Sequence, residues 1–381
     1  MTGSTQALFF YTPKYQEFDY GPSHPMKIRR LKLTHDLIDA YGLLDPAHVR
    51  LTDVPEAPEE ALLRVHTKEY LDVLRAAGEG LPPPHSWHFG LGAGDNPVFP
   101  GLFTYSTLLT GASLEAAHRL ASGEISRAFN IAGGLHHAAS NRASGFCYIN
   151  DAAVAISFLV DQGLRVAYID IDAHHGDGVQ DAFYDTDQVL TISIHETGLT
   201  LFPGTGFPEE VGTGDGEGYS VNVPLAPETD DDIFIEAFEE TVPPLLEAFR
   251  PDVIVTQLGI DAHRNDPLSN LRLTLQGFLR AIKQFEHTPA RWLALGGGGY
   301  YVGNVPRAWT AVWALMAGIE IPPELPPTFL SQFQAEGCPE ASLTDPPYRS
   351  QRAQKEEARR YARTQVHRVR ELIFPRLGIR N

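Results

Sequence analysis

The sequence predicts an α/β fold: a mostly parallel sheet covered by helices on both faces. Three observations carry this. Six short runs are apolar throughout, stretches of helical spacing lie between them, and titratable residues gather just after several of the runs. Strands buried on both faces read as unbroken apolar stretches, and parallel strands need long crossovers. Sheets of this kind bind ligands beyond the carboxyl ends of their strands, where the third observation puts the chemistry.

Taken in order, ALFFYT (7–12) is the first expected strand, and helical spacing follows over 24–41. A helical pattern over 101–121 leads into the strand RAFNIA (127–132), and another over 148–162 leads into RVAYIDI (165–171). VLTISI (189–194) is the next strand, followed by helical spacing over 231–248. DVIVTQL (252–258) precedes a helix at 274–287, and RWLALGG (291–297) precedes one at 304–317. Each run has the length and composition of a buried strand. The Pro-rich pieces LPPPHS (81–86) and IPPELPPTF (321–329) bring no shift in composition, so they read as loops of one domain spanning 1–381. From Arg349 onward ten Lys/Arg stand against three Asp/Glu. That segment, about 349–381, has helical spacing, with Tyr361, Val366 (or Val369) and Ile373 available to dock it as a surface helix.

Composition narrows the function classes. The chain has 381 residues, 43% hydrophobic and 20% charged, enough for a substantial core without disulfides. Its two cysteines, Cys147 and Cys338, fit a reducing, cytoplasmic setting and cannot build a Cys-rich metal site. The N-terminal MTGSTQALFFYTPKYQEFDYG lacks the pattern of a secretory signal, and no apolar stretch reaches membrane-spanning length. A formal net charge of −18 argues against general nucleic-acid binding.

The strand ends hold the chemistry. After RAFNIA come Gly133 and Gly134 and then the pair His136–His137. After RVAYIDI the stretch continues to DAHHGDGVQ, in which Asp170, Asp172 and His174 share strand parity. Asp172 and His174 suit Zn²⁺, Mn²⁺ or Fe²⁺, while Asp170 and Asp177 suit the holding of imidazole N–H groups. A solvated turn explains the Gly-Asp-Gly but not carboxylates beside Tyr168 and Ile169. Asp261 follows DVIVTQL, where a third ligand is needed, and Tyr300 follows four glycines after RWLAL. The glycines lack dinucleotide spacing, and neither a P-loop nor G-x-S-x-G occurs. Three metal ligands, a paired-imidazole acid/base and a phenol donor form the inventory for metal-assisted amide hydrolysis.

With these residues in hand, the chain resembles the zinc-dependent histone deacetylases and their bacterial acetoin-utilization relatives. The resemblance runs from about Phe10 to Leu315. It rests on HPMKIRRL (24–31), GDNPVFPGLF (94–103), AGGLHHA (132–138), GFCYIND (145–151), YIDIDAHHGDGV (168–179), FPGTG (202–206) and LGGGGY (295–300). It implies a three-layer α-β-α arginase/deacetylase fold and hydrolysis of acetyl-lysine in proteins or peptides. Asp172, His174 and Asp261 would hold Zn²⁺ or Fe²⁺. His136 paired with Asp170, and His137 paired with Asp177, would act on water, and Tyr300 would donate to the acyl carbonyl. Gly145, Phe146 and Phe202 would form a narrow acyl-lysine channel, Asp95 would hold substrate backbone at its rim, and Arg30 would line product exit. Structural K⁺ or Na⁺ would involve Asp170, Asp172, His174 and Ser193, with a second site near Phe183 and Tyr219.

Other readings stay open. A binuclear manganese ureohydrolase of the same architecture needs another D-x-D pair, and here that position reads Gly259-Ile260-Asp261. A polyamine deacetylase would carry an acidic gatekeeper where this chain has Leu268. A catalytically silent acyl-lysine-binding module would not need the full ligand set and Tyr300. The sequence leaves open whether the chain forms a homo-oligomer, and which of His136 and His137 moves each proton.

Overall fold

The computed structural model describes residues 7–44, 49–52, 54–92, 94–348 and 350–380. Among these residues eight strands form one sheet: β1 (Ala7–Phe10), β2 (Val49–Thr52), β3 (Arg127–Asn130), β4 (Val166–Asp170), β5 (Val189–Glu196), β6 (Ser220–Leu225), β7 (Val253–Gln257) and β8 (Arg291–Leu295). Their order across the sheet is β2-β1-β3-β8-β7-β4-β5-β6. Every pairing is parallel. The helices are α1 (Arg29–Ala40), α2 (Glu59–Leu62), α3 (Lys68–Gly78), α4 (Leu102–Ala121), α5 (Asp151–Asp161), α6 (Asp177–Ala182), α7 (Asp231–Phe249), α8 (Leu275–Ile282), α9 (Val305–Ala317), α10 (Pro327–Ala335) and α11 (Arg352–Ile373). They pack as two groups, one around α4 and α5 and one running α1–α9–α8–α7, which gives the three layers.

The apolar runs become strands because residues of both parities are buried. All five residues of β4 and of β7, and all eight of β5, are buried. Two strands escaped the sequence reading. β6 contains Ser220, Asn222 and Pro224, a mixture that does not look like buried strand. It lies at the sheet edge, where a residue without an N–H is tolerated. β2 has four residues and is the opposite edge. The helical pattern at 24–41 starts late, at Arg29. The pattern at 274–287 is an α-helix to Ile282 and a 3₁₀ turn from Lys283 to Phe285.

Beyond α9 the chain adds α10, which joins Phe329 and Phe333 to Leu33 and Leu37 of α1 in a second apolar cluster. The basic segment forms α11, which packs on β6 and α7. Its buried face is Ala358, Ala362, Val366, Val369 and Ile373, a spacing that returns to one side of a helix. Tyr361 is half-buried and its hydroxyl donates to Thr197 Oγ1 at 2.9 Å. The cations of this segment meet acids of the same chain: Arg359 and Arg363 pair with Glu236, Arg370 with Glu240, and Lys355 with Asp230 and Asp232. No helix among the described residues is long and apolar enough to cross a membrane.

Candidate active site

The four central strands end in step. Asn130 of β3, Leu295 of β8, Gln257 of β7 and Asp170 of β4 are register partners in one row across the sheet. The loops leaving that row at 131–137, 296–301, 258–266 and 171–177 therefore converge. This is the geometric reason that residues separated by more than a hundred positions share one pocket.

Ligand atoms of Asp172, His174 and Asp261 lie within 4.8 Å of one another, and all three residues are buried. His174 Nδ1 lies 3.1 Å from Asp172 Oδ1 and 2.9 Å from Asp261 Oδ2. Two carboxylates without solvent contact need a cation between them. Burial and Asp172 together push the Asp261 carboxyl up to about 7. Burial alone would discharge the His174 imidazole, but Asp261 and Asp172 outweigh it and raise its pKa well above the usual range. The space between these three groups is the place for a divalent ion, and one imidazole with two carboxylates is a fitting donor set. Asp172 Oδ2 accepts from Gly298 N and Gln257 Nε2, each at 2.8 Å, and Asp261 Oδ1 accepts from Ala173 N at 2.8 Å. The backbone passes so close that a Cβ on Gly259 would stand 2.0 Å from Asp172 Oδ2. Gly259 therefore leaves space for a ligand instead of supplying one.

Beside this cluster the two adjacent imidazoles meet tip to tip, with Nε2 atoms 3.0 Å apart. His136 Nδ1 lies 2.7 Å from Asp170 Oδ2, and His137 Nδ1 lies 2.7 Å from Asp177 Oδ1. The environments differ. Burial opposes charge on His136, but Asp170 and Asp172 prevail and push its pKa up to about 9. At His137 burial and the neighbouring His136 prevail over Asp177, and its pKa falls to about 4. Asp170 also accepts from the Tyr168 hydroxyl at 2.6 Å and from Asp172 N at 3.1 Å.

Tyr300 is held by its backbone, whose N–H donates to Asp266 Oδ2 at 2.7 Å. Burial, then Asp261 and Asp172, raise its phenol well above 10, so the hydroxyl keeps its proton. Its ring centroid lies 5.5 Å from that of Phe146 and 6.5 Å from that of His174. Phe146 has a left-handed φ of 69°, reached directly after Gly145. A Cβ on Gly145 would meet His137 Cδ2 at 2.4 Å. Phe202 is 43% exposed with its ring 5.0 Å from His137, so it borders both the pocket and solvent. Leu268 is half-buried, with its N–H on Asp266 Oδ1 at 3.0 Å. Asp95 is exposed, and its carbonyl lies 3.1 Å from His24 Nε2. Arg30 is buried with Nη1 and Nη2 donating to the carbonyls of Gly299 and Gly297 at 2.9 and 2.7 Å. Ser193 partners Asp170 in register and its hydroxyl meets His195 Nδ1 at 2.8 Å. Phe183 is buried and Tyr219 packs edge-on against Phe249.

His175, the second imidazole of DAHHGDGVQ, meets Thr205 Oγ1 at 2.9 Å and Gln180 Oε1 at 3.1 Å. Gln180 also binds Glu210, which accepts the N–H groups of Gly206 and Phe207. This network pins the loop that carries Phe202. Three further residues were missed: Tyr168, Gln257 and Asp266. Tyr168 shares parity with Asp170, a signal available in the sequence. Gln257 is the one amide in the run VIVTQL, and Asp266 lies five residues after Asp261, but nothing local tells what either binds.

Comparison with known proteins follows the same lines. Residues 24–316 match the histone deacetylase domain. The acetoin utilization protein AcuC of Bacillus subtilis (strain 168) is 44% identical over 352 residues, covering 89% of this chain and 90% of that protein. Histone deacetylase B of Dictyostelium discoideum is 42% identical, covering 87% and 78% respectively. Among solved structures, an HDAC homolog complexed with SAHA superposes with a TM-score of 0.85 at 35% identity, covering 94% of this chain and 99% of that one. An HDAC homolog from Aquifex aeolicus superposes with a TM-score of 0.84 at 34% identity and the same coverage. A parallel sheet of this order, a buried two-carboxylate, one-imidazole cluster and these likenesses agree: the chain belongs to the histone deacetylase family and is a deacetylase of the hydrolase class.

Proposed function

We propose that this deacetylase removes acyl groups from the Nε of lysine in proteins or peptides, with Zn²⁺, or in its place Fe²⁺, held by Asp172, His174 and Asp261. The observation that carries the reading is the adjacency of two groups: a cation-demanding ligand cluster, and an imidazole pair whose outer nitrogens are each held by a carboxylate. A bound divalent ion supplies Lewis acidity toward the acyl oxygen and makes water more acidic. His137, neutral over the working pH range, takes the proton of the attacking water. His136, kept cationic by Asp170, holds positive charge beside the developing oxyanion. Tyr300 donates its hydroxyl to that oxyanion, and His137 then hands its proton to the departing lysine amine. Water and amide become carboxylate and amine, and the imidazoles end as they began.

The channel is assigned to Gly145, Phe146 and Phe202 around the lysine stem. Asp95 holds substrate backbone at the rim, and Arg30 lines the inner end for product. Leu268, an uncharged side chain, supports lysine over polyamines. Leu199, 73% exposed on the Phe202 loop, offers apolar surface to residues flanking the lysine. Monovalent cations are assigned beside Asp170, Asp172, His174 and Ser193, and near Phe183 and Tyr219. The test is turnover of a fluorogenic acetyl-lysine peptide by parent and Tyr300→Phe protein, with metal content measured in both. The parent is active and loses activity to chelator, while the variant keeps its metal and loses roughly 10²–10³ in rate. A metal-loaded parent inactive on every acyl-lysine peptide tried sinks the reading, and an undiminished variant removes Tyr300 from it.

A further inference from the structure

The segment after α9 lies beyond residue 316, where the match to the family domain ends. One of its residues nonetheless reaches the core of the site's scaffold. Asp345 puts a side chain 4% exposed between Arg307 (1%) and His263 (0%). Its Oδ1 accepts from Arg307 Nη2 at 2.6 Å. Its Oδ2 accepts from His263 Nε2 at 2.8 Å and from Leu275 N, at the start of α8, at 2.7 Å. Gln276 holds the backbone of Asp345 on both sides, from Nε2 to the carbonyl at 2.8 Å and from the N–H to Oε1 at 3.1 Å. Charge-assisted contacts of this length, largely shielded from solvent, are strong and directional.

The partners of Asp345 matter because of what they carry. His263 stands two residues after Asp261 and three before Asp266. Its Nδ1 accepts from Asn265 N at 3.1 Å, so its proton resides on Nε2 and is directed at Asp345. Asn304 Nδ2, at the corner between Tyr300 and α9, also lies 2.9 Å from His263 Nδ1. Asp266 N donates to the His263 carbonyl at 2.8 Å, and the Asp266 carboxylate in turn holds Tyr300 N. Arg307, on the first turn of α9, binds the carbonyls of Ser342 and Thr344 as well. Two loops that share no backbone, one bearing the ligand Asp261 and one bearing Tyr300, are thus tied through one carboxylate.

We propose that Asp345 is a positioning residue for deacetylation: it clamps the Asp261 loop to the Tyr300 corner and so fixes the donor relative to the ligand cluster. The proposal rests on the roles given above to Asp261 and Tyr300. Displacements of about 1 Å in such a pair cost up to ~10²-fold in rate, whereas a side chain that only adds stability leaves the rate of folded protein alone.

The experiment compares full-length parent with Asp345→Asn, which keeps the shape but turns an amide N–H₂ toward one of the three donors. Expected is a fall in kcat of tenfold or more with KM within threefold, and zinc affinity, measured by competition with a chromophoric chelator, about tenfold weaker. A smaller fall in kcat together with unchanged zinc affinity overturns the proposal, as does a loss expressed in KM. Should that variant not fold, Arg307→Lys keeps a cation beside the carboxylate and loses the planar fork. A kcat loss of threefold or more with KM unchanged then supports the clamp, and a smaller loss overturns it. A parent without turnover refutes the proposed function and leaves the clamp to the affinity measurement, which needs no substrate.

Discussion

Replacing Gln257 by Leu tests how the metal cluster is built. The side chain lies at the end of β7 without solvent contact, and its amide makes polar contacts that Leu cannot. Nε2 donates to Asp172 Oδ2 at 2.8 Å and to the Gly134 carbonyl at 3.2 Å, and Oε1 accepts from Gly259 N at 2.8 Å. The contact to Asp172 is a hydrogen bond to a charged group, worth ~1.5–3 kcal/mol. If that loss falls on the oriented, metal-bound form, it weakens the metal by roughly 10- to 150-fold. The same range is typical when a residue that orients a metal ligand is removed. Of the other contacts, loss of Oε1 leaves the buried Gly259 N–H unpaired at ~1–3 kcal/mol, which acts on stability with or without metal, while the Gly134 carbonyl keeps His136 N at 3.1 Å. The two effects separate by measurement. Zinc affinity of the variant is read by chelator competition, and unfolding of metal-free protein is read in urea. Zinc affinity within threefold of the parent refutes the role given to Gln257, whatever the stability change.

Protonation of His66 limits stability in acid. Its Nε2 accepts from Asn150 N at 3.0 Å and its Nδ1 lies 3.0 Å from the Ala139 carbonyl, so the buried ring is neutral. Burial lowers its pKa to about 4. The unfolded chain takes up this proton near pH ~6.5 and the folded one does not. The contribution of His66 to stability is therefore full above that value and falls by up to ~1.4 kcal/mol per unit toward pH 4, so a His66→Gln variant shows a shallower acid slope than the parent in urea titrations at several pH values. Zinc at about a thousand times its dissociation constant adds ~4 kcal/mol to stability, which for this length raises Tm by about 5 °C; calorimetry with and without chelator checks it. Ile373→Ala, at a position without exposure on the inner face of α11, costs ~2–5 kcal/mol in urea unfolding. A loss below 1 kcal/mol there would mean that α11 is not integral to the fold.

What was legible in the sequence follows from locality. A buried parallel strand is its own signal, so β1, β3, β4, β5, β7 and β8 stand out as apolar runs. Their ends display His136, Asp172, Asp261 and Tyr300 because the chemistry lies within a few residues of the apolar signal. β6 was illegible because an edge strand faces fewer constraints and tolerates Pro224. Gln257 was illegible for the opposite reason: its polar contacts lie 85 and 123 positions away, to Asp172 and Gly134. Asp345 is one acid among 48 Asp and Glu, and its partners lie 38 and 82 positions distant. Periodicity reports which face is buried, and not which distant group a buried polar atom meets.

The docking of α11 has an electrostatic consequence. Before the basic segment the chain carries 20 Lys/Arg against 45 Asp/Glu. Were the segment to extend from the body, the molecule would present two poles of opposite sign. Folded onto α7, its cations sit beside Glu236, Glu240, Asp230 and Asp232. Short-range pairs of this kind give little field at a distance, and the anionic excess of the remainder extends outward. A cationic polypeptide therefore approaches down a potential gradient and a polyanion against it. The reach of that gradient is about 8 Å at physiological ionic strength, so its signature is an encounter rate that falls as salt is added.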